Sequence, residues 1–110
     1  MLILLVVFSS IGVLLALIAR RMIAGKVPPN AWYGFHARGE PYEPALWYRV
    51  NRRAGWWQLA VGLLCILAAL ALYPFCTPDE DRYAILFTLV TLPVLMLGLL
   101  DSLRYERKLR

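Results

Sequence analysis

The residues able to do more than dissolve in lipid are concentrated between Gly25 and Gly55, in the stretch GKVPPNAWYGFHARGEPYEPALWYRVNRRAG. Lys26, Pro28, Pro29, Asn30, Gly34 and Phe35 form one group, and Trp47, Asn51, Arg52 and Gly55 form a second. Their chemistry is recognition rather than bond-making. Asn and Arg offer directional donors, Trp offers an N–H on an apolar ring, and Lys and Arg carry fixed positive charge. The single histidine, His36, has no nearby Cys or paired carboxylates for a metal, and the sequence holds no Ser/His/Asp order, P-loop or dinucleotide fingerprint. We therefore expect no enzyme, no cofactor and no metal, and a chain that works by binding.

The elements that must position these groups are apolar. In a chain of 110 residues, long enough for one domain, 61% of residues are hydrophobic and only 17% are charged. The charges fall outside three runs, Leu2 to Ala19, Trp56 to Tyr73 and Tyr83 to Leu100, and none of these runs contains Asp, Glu, Lys, Arg or His. Each run, as a helix, is about 27 Å long at roughly 1.5 Å per residue, close to the roughly 30 Å of a bilayer's hydrocarbon. Lipid cannot hydrogen-bond a backbone, and the runs lack the alternation of a barrel strand, so helices are expected. The expectation is an all-α membrane protein with three transmembrane helices, at 2–19, 56–73 and 83–100. Between them lie a cytoplasmic loop at 20–55 containing an interfacial helix and an outer loop at 74–82, and a cytoplasmic tail follows at 101–110. Ion pumping is disfavoured, because intramembrane ionisable residues mark such pathways.

Orientation follows from the basic residues. Seven lie in 20–53, one in 74–82 and four in the tail, and short basic loops stay cytoplasmic. The N-terminus should face out and the loop and tail in, across a bacterial plasma membrane. MLILL is uncharged while Arg20 and Arg21 follow the run, a pattern of an uncleaved reverse anchor rather than a signal peptide. A net charge of +5 so placed reads as topology plus attraction to anionic lipid, not direct nucleic-acid binding. Cys65 and Cys76, about 16 Å apart on one helix, are too distant to bridge.

Along the chain, Gly12 and Ala16 in the first run, and Gly55, Gly62 and Ala69 at seven-residue spacing around the second, offer smooth faces for helix packing. Pro28 and Pro29 exclude a long helix over 25–38, and Trp32, Tyr33 and Phe35 suit the headgroup level. Pro44 opens a helical pattern with Leu46, Trp47, Val50, Ala54 and Trp57 near one face and Arg49, Arg52 and Arg53 on another. An in-plane helix fits this, and so does one continuing into the second span; Gly55 is where the two differ. Thr77, Pro78 and Glu80 predict the start of the third helix, with threonine as cap, proline first and glutamate closing a capping box. Pro93 should kink that helix and free the carbonyl of Leu89, with Thr88 or a neighbouring helix compensating.

Taken together, the two polar groups resemble the SdpI-type family of small bacterial membrane proteins. Its hallmark is K-I-P-x-N-x-x-x-G-[FV]-R-T followed by W-x-x-x-N-R-x-x-G at the opening of a transmembrane helix. The matching positions are Lys26, Pro28, Pro29, Asn30, Gly34 and Phe35, then Trp47, Asn51, Arg52 and Gly55. The pattern's Arg-Thr is replaced by His36 and Ala37, with an arginine only at Arg38; either Arg38 supplies the charge from a shifted position or the site takes a different ligand. The resemblance implies immunity toward a membrane-active peptide toxin and, as in the founding member, signalling by sequestering a cytoplasmic repressor at the membrane. A different class of reading is a small accessory or structural subunit of a larger membrane complex. Smooth helix faces would suit that assembly, or an oligomer.

Overall fold

A computed structural model of the chain describes residues 1–28 and 44–109. They form three helices, α1 (Leu2–Ile23), α2 (Pro44–Cys76) and α3 (Glu80–Leu109), and no strand among the described residues. All three are long and apolar enough to cross a membrane. Helix α2 is the middle element, packing against both α1 and α3. The large aliphatic side chains turned outward, such as Val6, Leu67 and Leu89, are what a lipid-facing surface requires, since lipid removes the hydrophobic penalty for exposing them.

Because side-chain burial gives little in lipid, close approach decides the packing. A Cβ atom built on Gly12 would lie 2.6 Å from the Gly62 carbonyl oxygen, and one on Gly62 would lie 2.8 Å from the Gly12 oxygen and 2.9 Å from the Ala16 nitrogen. The α1–α2 crossing is therefore backbone against backbone. Gln58 strengthens it by donating through Nε2 to the Leu15 carbonyl at 3.1 Å. Ala69 is fully buried in the core with Val61, Cys65, Ala68 and Phe87, and its carbonyl accepts from the Tyr83 hydroxyl at 2.6 Å. Phe8 stacks on Phe87, with ring centroids 4.0 Å apart, and so ties α1 to α3. Both cysteines are buried and free.

The structure departs from the sequence expectations in two places. The interfacial helix expected within the loop is not a separate element: residues 44–55 are the first turns of α2, which runs unbroken for 33 residues, about 50 Å. Gly55 is a packing position rather than a break, for a Cβ there would meet Met22 and Ile23 side chains at 3.0 Å. At its other end α2 continues through Pro74 to Cys76, so Thr77 belongs to the end of α2 and donates its hydroxyl to the Tyr73 carbonyl at 2.6 Å. The cap of α3 is instead Asp79, whose Oδ1 accepts from the Arg82 amide at 3.1 Å, and Glu80 pairs with the Met1 amino group at 2.7 Å. Helix α3 runs through Pro93 as expected; of the two groups expected to compensate the Leu89 carbonyl, Thr88 or a neighbouring helix, Thr88 bonds the Ala84 carbonyl at 2.9 Å instead.

Candidate functional site

The end of the bundle that carries Arg20, Arg21 and Lys26 gathers what the structure describes of the two polar groups. Helix α1 stops in a Schellman arrangement: the Gly25 amide donates to the Met22 carbonyl at 3.2 Å and the Lys26 amide to Arg21 at 2.9 Å. Gly25 has φ 72°, a left-handed value that a side chain would oppose, and this reversal brings Lys26, Val27 and Pro28 beside α2. The Trp47 indole N–H donates to the Val27 carbonyl at 2.8 Å in a buried bond. Arg52 donates through Nε to the Ile23 carbonyl at 3.1 Å, one of the acceptors left free at the helix end.

Around these bonds Met22, Val27, Trp47 and Ala54 make a small apolar core of their own. Asn51 sits within it at 1% exposure and donates through Nδ2 to the Trp47 carbonyl at 3.0 Å. An amide so deeply buried costs about 1–3 kcal/mol for each polar atom left without a partner, which is why its neighbours must be held in register. The structure thus brings Lys26, Pro28, Trp47, Asn51, Arg52 and Gly55 to one end, with Gly55 letting α1 close on α2. Pro29, Asn30, Gly34 and Phe35, and the departure at His36, Ala37 and Arg38, lie outside the described residues.

A second cluster at the same end escaped the sequence reading. Arg53 holds Asp101 with two bonds, Nε to Oδ2 at 2.8 Å and a terminal nitrogen to Oδ1 at 3.0 Å, and the Trp57 N–H reaches Oδ2 at 2.8 Å. The Arg53 guanidinium also lies 4.5 Å above the Tyr105 ring centre, and Gly98 makes room for Trp57, since a Cβ there would stand 3.0 Å from it. Asp101 lies beyond the apolar run, and the hydrogen bond from Arg53, aided by Trp57, holds its carboxyl below the usual carboxylate range. The available signal was a single carboxylate directly after an apolar run, opposite an Arg and a Trp four residues apart on the neighbouring helix. Beside this lock, Arg49, Arg52, Arg53, Trp56 and Tyr105 line a pocket of about 290 Å³. Among the described residues no group of His, Cys, Asp and Glu could hold a metal.

The family model for the SdpI/YfhL protein family matches residues 26–100. The chain belongs to the SdpI/YfhL protein family. No curated protein and no solved structure matches it. The match starts at Lys26, where the polar signature starts, and ends at Leu100, where the third apolar run ends. Helix α1 precedes the matched segment, yet it supplies the Ile23 carbonyl that Arg52 covers and the Gly12 backbone on which Gly62 rests. In this SdpI/YfhL protein the signature residues are therefore anchored to a helix that the family model does not include.

Proposed function

We propose that this SdpI/YfhL protein protects a bacterial cell against a membrane-active peptide toxin, acting by binding rather than by catalysis. Its basic end would face the cytoplasm, and the same end would offer a surface for sequestering a cytoplasmic repressor. The observation that supports the reading is that the described start of the first signature group, 26–28, packs on the second, with Trp47 bonded to Val27, Arg52 to Ile23 and Asn51 buried beside them. The exposed Arg52 guanidinium, which lines the 290 Å³ pocket with Arg49 and Arg53, is suited to recognising polar or anionic groups, while buried Trp47 and Asn51 hold its helix in place. The test is protection of a toxin-sensitive host. Arg52→Ala and Asn51→Ala should abolish protection while the protein still accumulates in the membrane. Unchanged protection at normal abundance would overturn the proposal, and joint loss of protection and protein would make the cluster a folding element.

A further inference from the structure

Between α1 and α2, at the basic end, lies a groove with a volume of about 510 Å³. The cations Arg20, Arg21 and Lys26 line it together with the apolar Leu17 and Leu59. Trp56, 59% exposed, borders it as well. Among the described residues Arg20, Arg21 and Lys26 make no ion pair, unlike Arg53 on the neighbouring face. Their charge is therefore available to a ligand.

We infer that this groove is a binding site for one anionic phospholipid, with the headgroup phosphate held by Arg20, Arg21 and Lys26 and an acyl chain laid along Leu17 and Leu59. The polarity runs in the order a lipid requires. Leu17 lies one turn before Arg21 on α1, on the side of the apolar run, and the three cations lie where that run ends. Trp56 is the kind of ring that settles at the level between headgroups and chains. The volume falls within the range of small-molecule sites and admits a headgroup with the upper part of a chain.

The end of α1 would repel a phosphate if its carbonyls were bare. They are not. The amides of Ala24, Gly25 and Lys26 cover the carbonyls of Arg20, Met22 and Arg21, and Arg52 covers Ile23. With the negative end of the helix so occupied, the three cations set the local potential. A soluble anion would satisfy the cations and leave the apolar wall unused, which is why the structure favours a lipid over free phosphate.

The experiment is native mass spectrometry of the detergent-purified full chain, titrated with phosphatidylglycerol or with phosphatidylethanolamine of the same acyl chains. The wild type should retain phosphatidylglycerol in preference. Replacing the groove cations together, Arg20→Gln with Arg21→Gln and Lys26→Gln, should weaken that retention roughly a hundredfold, from about a factor of five for each basic residue. Arg104→Gln with Arg107→Gln and Lys108→Gln removes equal charge from the tail and should leave retention unchanged. Should the groove variant fail to accumulate, Ala24→Glu decides the matter by placing a negative charge in the groove, and it should lower phosphatidylglycerol retention alone. Equal losses in the groove and tail variants would reduce the site to diffuse surface charge and overturn it. Equal retention of both lipids, or displacement by millimolar inorganic phosphate, would overturn it too.

Discussion

The carbonyl oxygen of Gly62 lies 2.6 Å from the point where a Cβ on Gly12 would stand, so the two helices touch through their backbones. Any side chain at either position must push α1 and α2 apart, and the consequence extends beyond the crossing. Arg52 bonds the Ile23 carbonyl at the end of α1 and Trp47 the Val27 carbonyl just past it, so parting the helices would strain both bonds. The small residues in mid-membrane thus set the register of the polar cluster at the basic end.

Gly62→Leu should therefore destabilise the protein by about 1–3 kcal/mol, the usual cost of overpacking a filled interface. Leu63→Ala should do little, because Leu63 is 49% exposed and faces outward. Thermal aggregation midpoints in detergent provide the comparison. Equal, small shifts for both variants would mean that the crossing does not carry the fold.

Asp101→Asn should loosen the α2–α3 contact by about 1 kcal/mol, at the low end for bonds to a charged group because Arg53 is 47% exposed and the pair is screened. The pH dependence has a definite sign. The folded carboxyl is held below its ordinary range, first by the Arg53 hydrogen bond, so this contribution is fully present above the unfolded value of about 4 and is lost as pH falls through the lower folded value. The gap in thermal midpoint between wild type and Asp101→Asn should be largest near neutral pH and close in acid. A gap independent of pH would show that the ion pair contributes nothing.

Trp47→Phe keeps an apolar ring but removes the donor to Val27, leaving a buried carbonyl without its partner at a cost of about 1–3 kcal/mol. Toxin protection should fall with stability in this variant. Arg52→Ala, on an exposed side chain, should lose protection with a smaller change in stability. Identical ratios of activity to abundance in the two variants would argue that Arg52 is only a structural support.

Helix α3 places Asp79 and Arg107 at opposite ends of the bundle, and the basic residues cluster at the Arg107 end. In a background with Cys65 and Cys76 replaced, a cysteine at 79 should be labelled from outside intact cells. Cysteines at 38 and 107 should react only after the membrane is opened. The reverse pattern would invert the proposed orientation.

Three membrane-length helices and the two-part signature could be read from the sequence because each rests on a local property. The preference of an apolar residue for lipid does not depend on what it will touch, so Leu2 to Ala19, Trp56 to Tyr73 and Tyr83 to Leu100 declare themselves residue by residue. The tertiary structure decided what depends on partners. Gly55 looked the same as a hinge or as a contact until Met22 and Ile23 were seen against it. Thr77 read as the cap of α3, but the continuation of α2 through Pro74 gave that role to Asp79. Arg53 read as one of three arginines on a helix face, because its carboxylate lies 48 residues away on a different helix. Hydropathy sets which segments enter the membrane, but the energies that pair and align them act between atoms only a few ångströms apart, and the order of residues along the chain does not contain those distances.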